Sequence, residues 1–281
     1  VQEKVLIAGC GYTGIALGLR LVQDGCKVWG LRRNTAALPP EIQPLALDLN
    51  QDPIPAFPMP FDAVFYTAGS DAFSEAAYRA AYVDGPRRLL EALQAQGQTP
   101  RRILYTSSTG VYAQQDGTLL DEESPADSPR FSGAVIREGE EVWNASPYAS
   151  VVVRFAGIYG PGRTRLIESV RNGTAECVAD PPAWVNLIHR DDCAGVLRHL
   201  LRVPDPAPLY IGVDDEPLER CALLQWIADQ LGVPGPAIVP PPPGPIDPQR
   251  GGNRRYSNAR LRATGYTFQY PSFRDAFPRL R

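Results

Sequence analysis

The start of the chain constrains its fold most. Lys4-Val-Leu-Ile-Ala8 is a short apolar run suited to a buried strand, and it leads straight into Gly9-Cys-Gly11-Tyr-Thr-Gly14. Helical periodicity follows from Gly14 to Asp24. Strand, glycine turn and helix in that order make the opening of a dinucleotide-binding βαβ unit. The first glycine allows the tight turn, the second lets backbone amides approach a pyrophosphate, and the third lets the helix pack close to the strand. G-x-G-x-x-G alone is a weak signal, and its position between strand and helix gives it force. The plainer reading is a turn that needs positive φ. Gly9, Gly11, Tyr12, Thr13 and Gly14 are therefore candidate cofactor residues.

Apolar, β-branched runs recur along the chain with helical stretches between them. Strands are expected at Lys27–Leu31, Pro44–Asp48, Asp62–Thr67, Arg102–Thr106, Ser150–Phe155 and Leu209–Ile211. Helices are expected near Glu75–Tyr82, Pro86–Gln96 and Ser132–Trp143. This alternation predicts an α/β fold with a doubly wound parallel sheet, which binds ligands outside the carboxyl ends of its strands. After Tyr159 the texture changes. Val239–Pro248 is dense in proline and must be extended, as a rigid crossing loop or as a docking motif, and Leu218–Leu231 has helical periodicity. The expected division is a nucleotide-binding core over residues 1–160, rejoined by 183–212, and a smaller substrate lobe from 161–182 and 213–281.

Composition excludes several classes. A net charge of −3 gives no electrostatic footprint for nucleic acid. No apolar run approaches the roughly 20 residues that span a bilayer, and the N-terminal apolar run lacks the basic flank of a signal peptide. Five scattered cysteines without C-x-x-C read as reduced thiols of a cytoplasmic protein, with neither a disulfide framework nor a metal site.

The end of the second strand bears on the choice of dinucleotide. An NAD site places a carboxylate there, about 20 residues after the glycines, for the ribose 2′-hydroxyl. This chain has Gly30-Leu-Arg32-Arg33-Asn34 instead. Two guanidiniums suit a 2′-phosphate, so NADP is expected and NAD is the lesser fit; a solvated loop is the plainer reading. Asp48 is placed to face the adenine amino group or to cap the next turn. Leu49, Thr67, Ala68 and Gly69 complete the expected cofactor contacts.

Several further motifs, taken together, resemble the extended short-chain dehydrogenases/reductases, also called the epimerase/dehydratase family. Leu104-Tyr-Thr-Ser-Ser-Thr-Gly-Val-Tyr112 is similar to the family's S-S-x-x-V-Y segment, and Asp121-Glu-Glu-Ser-Pro125 to its acidic loop. Arg154-Phe-Ala-Gly-Ile-Tyr-Gly-Pro-Gly162 resembles R-x-x-x-x-Y-G-P-G, and Asn186–Asp192 resembles I-H-x-D-D. Ser257-Asn-Ala-Arg-Leu261 with Gly265-Tyr266 is similar to the family's ending. The resemblance implies a Rossmann core with a small C-terminal lobe, and a small-molecule carbonyl or alcohol substrate, often a nucleotide sugar. It also implies homodimers formed through two helices flanking the sheet. Ser108 aligns with the catalytic hydroxyl that binds the reacting oxygen, and Thr106 and Ser107 lie beside the cofactor.

The family's Tyr-x-x-x-Lys is the other half of that machinery. At the aligned places stand Ser132 and Ile136, and the only lysines are Lys4 and Lys27. Arg137 is turned roughly 100° away around the helix. The glycine turn departs too, with Ala8 where the family's first glycine stands. Candidate replacement acids are Tyr112, against a reading as packing, and His189, against a reading as the anchor of a helix start at Asp191-Asp192. His199 is expected at the surface. Tyr159, Arg163 and Trp184 are candidate substrate contacts, each with a plainer reading as core or exposed helix face. An NADP(H)-dependent oxidoreductase with non-standard acid–base residues is the leading function, and a non-catalytic NADP(H) sensor the alternative.

Overall fold

A computed structural model describes residues 2–241 and 253–280. Seven strands form one parallel sheet: β1 (Lys4–Ala8), β2 (Lys27–Arg32), β3 (Gln43–Ala46), β4 (Ala63–Tyr66), β5 (Arg102–Ser108), β6 (Ser150–Phe155) and β7 (Leu209–Gly212). Their spatial order is β3-β2-β1-β4-β5-β6-β7, with every neighbouring pair parallel. Strand order reverses between β1 and β4, so a crevice opens where their carboxyl ends diverge, at Ala8 and Tyr66.

Strand alternation supplies two cores. Val5 and Ile7 of β1 face one side with Val28, Phe65 and Leu104; Leu6 and Ala8 face the other with Trp29, Tyr66 and Tyr105. On the first face lie α1 (Tyr12–Gln23) and α6 (Arg190–Arg202), which pack on each other through Leu17, Leu21, Val196 and Leu197. The second face is covered by α3 (Gly85–Ala95) and α4 (Phe131–Asn144), anchored by Leu89, Leu93 and Trp143. Each such fully buried aliphatic side chain contributes about 1.5–3 kcal/mol.

A short helix, α2 (Glu75–Arg79), runs into α3 through a π turn at Ala80–Asp84, where the expected single helix near Glu75–Tyr82 instead widens. The third strand ends at Ala46, so Asp48 lies in the loop beyond it. The stretch read as helical from Leu218 begins as a strand, Leu218–Glu219. The helix α7 spans Arg220–Leu231, and Glu219 caps it by accepting the amides of Cys221 and Ala222. With α5 (Arg165–Arg171) and the C-terminal segment around Phe273 and Phe277, α7 forms a separate small core.

Two expectations are corrected. Cys177 and Cys221 form a disulfide, with Cα atoms 5.4 Å apart, tying the strand Glu176–Cys177 to the first turn of α7. Their separation of 44 residues left no local spacing to read. Cys10, Cys26 and Cys193 are free and buried. His199 is half-buried, its Nε2 2.9 Å from the Thr264 hydroxyl, because the C-terminal segment folds back over α6. The proline-rich segment lies outside the described residues from position 242 onward. Among the described residues no helix is long and apolar enough to cross a membrane, and no cluster of His, Cys, Asp and Glu could hold a metal ion.

Candidate cofactor and active site

The glycine turn is built by close approach. Gly9 has φ +75°, and a Cβ there would sit 2.3 Å from the Ala68 nitrogen, so only glycine fits. The amides of Gly9 and Cys10 both donate to the Leu31 carbonyl, at 2.9 and 3.0 Å, which fixes the turn against the end of β2. A Cβ on Gly14 would lie 2.8 Å from Thr67 Oγ1, and that hydroxyl donates to the Gly9 carbonyl at 2.9 Å. Gly11 begins α1 with no side-chain cap, so the first-turn amides are available to an anion.

In front of this turn is a cavity of about 450 Å³. Gly9, Gly11, Arg32, Arg33, Asp48, Leu49, Thr67, Ala68 and Gly69 all line it. So do Asn34, Asn50, Ser70, Asp71 and the face of Ala77, Ala80 and Ala81, which sequence reasoning missed. Arg32 donates to the Cys10 carbonyl at 3.2 Å, and the exposed Arg33 pairs with Asp71. Asp48 accepts the Asn50 amide at 2.9 Å, so it caps its turn while lining the cavity. The buried Asn50 Oδ1 has no hydrogen-bond partner. A cavity lined by an uncapped helix start, an orphaned polar atom and two guanidiniums fits a dinucleotide. The turn and α1 would hold its pyrophosphate, and the bound nicotinamide would supply hydride chemistry.

The remaining cofactor candidates are placed differently. Tyr12 turns away, donating to the Pro161 carbonyl at 3.0 Å, with the Arg163 guanidinium 4.2 Å above its ring. Thr13 is half-buried in the first turn of α1, and Gly14 is buried under Thr67. Thr106 spans the sheet to the Tyr66 carbonyl at 3.1 Å. Ser107 is buried and donates to Glu140 at 2.6 Å, away from the cavity.

Ser107 belongs to a network that fixes the end of β5. Arg154 donates to both oxygens of Glu140, at 2.8 and 2.6 Å, and to the Tyr112 hydroxyl at 2.9 Å; Arg137 adds a bond to Glu140 at 3.0 Å. Burial works against the Arg154 charge, but the hydrogen bonds and charge of Glu140, together with Tyr112, outweigh it, so its pKa is raised. Ser108, next along the strand, is half-buried, with its hydroxyl accepting the Gly110 amide at 3.1 Å.

Neither replacement acid is placed for the task. Tyr112 is 1 % exposed, and its hydroxyl donates to the Asp121 carbonyl at 2.9 Å while accepting from Arg154. Burial pushes it up to about 12, against the pull of Arg154. His189 caps α6, its Nδ1 accepting the Asp191 amide at 3.2 Å, which leaves the proton on Nε2. Its ring is buried between Tyr159 and Tyr270, and burial lowers its pKa to about 4 despite the nearby Asp191. A neutral imidazole whose Nδ1 is spent as a helix cap keeps a tightly held proton on Nε2 and is a poor general acid near neutral pH.

Tyr159 and Arg163 border a cavity of about 560 Å³ in the small lobe, with Ile167 and Phe273 on its apolar wall. Trp184 is elsewhere, half-buried beneath Arg255 in the short strand Trp184–Val185. On α4, Ser132 is half-buried, and Ile136 is 4 % exposed in an apolar cluster with Val111 and Ile211.

This fold and this turn define a Rossmann-type protein of the NAD(P)-binding class. The chain belongs to the NAD dependent epimerase/dehydratase family, whose pattern matches residues 5–211. It is 29 % identical over 226 residues to protein YeeZ of Escherichia coli K12, covering 74 % of this chain and 77 % of that one. It is 28 % identical over 214 residues to a 3-diazoavenalumate denitrifying reductase of Streptomyces, covering 70 % and 69 %. A solved structure from Methylobacillus flagellatus, described as an NAD-dependent epimerase/dehydratase, superposes with a TM-score of 0.79 at 34 % identity, covering 100 % of this chain and 98 % of that one.

Proposed function

We propose that the protein is an NADP(H)-dependent oxidoreductase that reduces a carbonyl group or oxidises the matching alcohol. The observation that carries the cofactor choice is the end of β2: Arg32, Arg33 and Asn34 line the cavity where an NAD site would hold a carboxylate. Paired guanidiniums favour a 2′-phosphate through charge-assisted hydrogen bonds. A relative that is itself a reductase supports the direction of the chemistry. Ser108, fixed at the carboxyl end of β5, would hold the reacting oxygen. The small-lobe cavity, with Arg163 and Arg165 at its edge, suits a substrate carrying phosphate or carboxylate, a nucleotide sugar among them.

A second reading, a non-catalytic NADP(H) sensor, draws on α4. Ser132 and Ile136 stand at the aligned Tyr and Lys positions, and Ile136 is sealed in an apolar cluster where it supplies neither charge nor hydrogen bond. Titrating the protein with NADPH and NADH by nicotinamide fluorescence, then offering a carbonyl panel, separates the readings. NADPH is expected to bind about tenfold or more tightly than NADH, with Arg33→Ala closing most of that gap. Turnover lost in Ser108→Ala, with NADPH still bound, supports an enzyme. Preferential NADH binding would overturn the cofactor assignment.

A further inference from the structure

We propose that Asp71 sets how strongly the site prefers NADPH, by holding Arg33 in an ion pair that competes with the 2′-phosphate. The inference rests on the NADP(H) reading above and adds a specificity-determining residue to it.

The pair joins the two walls of the crevice. Arg33 follows β2, Asp71 lies in the loop after β4, and these two strands flank β1 on either side. The glycine turn leaves the carboxyl end of β1 between them. Arg33 Nη2 donates to Asp71 Oδ2 at 2.5 Å, although the residues are 38 apart in the chain. Both residues line the dinucleotide cavity, so the ion pair spans its edge from the β2 side to the β4 side. Their side chains are 61 % and 67 % exposed, which puts the contact at the rim, open to solvent. The carboxylate absent from the end of β2 is thus supplied from the opposite wall, where it meets a guanidinium.

The other charged groups of the lining are committed elsewhere. Among the described residues the lining carries two guanidiniums, Arg32 and Arg33, and two carboxylates, Asp48 and Asp71. Arg32 is half-buried and donates to the Cys10 carbonyl at 3.2 Å. Asp48 accepts the Asn50 amide at 2.9 Å within its own turn. Asn34, beside Arg33, accepts the Ala36 amide at 2.9 Å and caps the short helix Thr35–Ala37. Among the described residues, the side chains of Arg33 and Asp71 bond only to each other.

That pairing bears on one nucleotide and not on the other. A guanidinium holds a phosphate through charge-assisted hydrogen bonds, often two in parallel. For Arg33 to bind a 2′-phosphate, either it releases Asp71, or phosphate and carboxylate share it as close like charges. Both cost NADPH affinity. NADH carries an uncharged ribose hydroxyl at that place, so neither cost applies to it. An exposed ion pair is worth about 1.5- to 5-fold in an equilibrium, and the like-charge repulsion adds to that. Asp71 is therefore strong enough to tune selectivity and too weak to block the site.

Asp71→Asn, which removes the charge and keeps the size, tests this. Dissociation constants for NADPH and NADH come from nicotinamide fluorescence. Those for adenosine 2′,5′-bisphosphate and AMP, by calorimetry, isolate the adenosine end. Asp71→Asn is expected to tighten NADPH and the bisphosphate about three- to tenfold, and to move NADH and AMP by about twofold or less. Asp71→Glu, which keeps the charge, should stay within about twofold of the wild type for all four. In an Arg33→Ala background, Asp71→Asn should change NADPH affinity by about twofold or less, because the competition has been removed. NADPH affinity that is unchanged or weaker in Asp71→Asn overturns the proposal and leaves the NADP(H) reading standing. So does equal tightening of NADPH and NADH, or a full-sized effect without Arg33. A wild type that binds NADH more tightly than NADPH, or binds neither, overturns the NADP(H) reading and this proposal together.

Discussion

Asp214 follows β7 in a loop whose sequence, Val213-Asp-Asp-Glu216, reads as exposed and charged. It is instead 2 % exposed, with Oδ2 lacking any hydrogen-bond partner. Burial pushes its pKa up to about 9, helped by the nearby Asp215, Glu216 and Asp192 and opposed by the Glu216 amide. The folded chain then keeps a proton on Asp214 from about pH 4 to about pH 9, where the unfolded chain has lost it. Stability must fall as pH rises through that window. Asp214→Asn keeps the shape of the neutral acid and removes the titration. Its thermal midpoint is expected to pull ahead of wild type as pH is raised from 5 to 8, and a gap that stays constant with pH would refute the shift. The contrast with His189 shows what a sequence discloses at this scale. His189 is read as a helix anchor because its partner, Asp191, is two residues away and the aspartates announce a helix start. Asp214 is held by residues far along the chain, its amide donating to the Leu187 carbonyl and its carbonyl accepting from Asn258, so nothing local marks it.

The long elements were legible for a related reason. Strands such as β1, β5 and β6 each contain an apolar run of three or more residues, and the glycine turn declares its own backbone geometry. Two-residue strands such as Glu176–Cys177 and Leu218–Glu219 are too short to have a period, and they form only because partners reach them across the lobe. The π turn was equally invisible; it lies where α4 approaches its backbone at Gly139, a residue far along the chain. The disulfide joins two elements of this silent kind, one short strand and the first turn of α7. Closing a loop of 44 residues restricts the unfolded chain enough to stabilise the fold by about 2–4 kcal/mol. Reduction, or Cys221→Ser, is expected to lower stability by about that amount in a urea titration. Thiol counting on denatured, unreduced protein should find three reactive cysteines of the five; five would mean that the bond does not form in solution.

At the scale of the molecule, the dinucleotide cavity belongs wholly to the sheet domain. Its lining comes from residues between Gly9 and Ala81, and the small lobe meets the glycine turn chiefly where Tyr12 bonds to Pro161 and stacks under Arg163. The small lobe has its own core around Leu223, Ile227 and Phe273. Nucleotide binding should therefore stabilise the two parts unequally. At a ligand concentration of about 100 times Kd, binding stabilises the folded state by about 2.7 kcal/mol. Amides that open only with the sheet domain should slow in hydrogen exchange accordingly. The strongest protection by NADPH is expected at 9–14, 31–34, 47–51 and 67–71, which carry the cavity wall or the glycine turn. Helix α7 has no residue on that wall, and its exchange is expected to change little. Protection of α7 as strong as that of the turn would mean that the lobes unfold as one unit, coupled through the Pro161–Arg163 loop. In that case Arg163→Ala, which removes the guanidinium from the Tyr12 ring, should restore the difference between them.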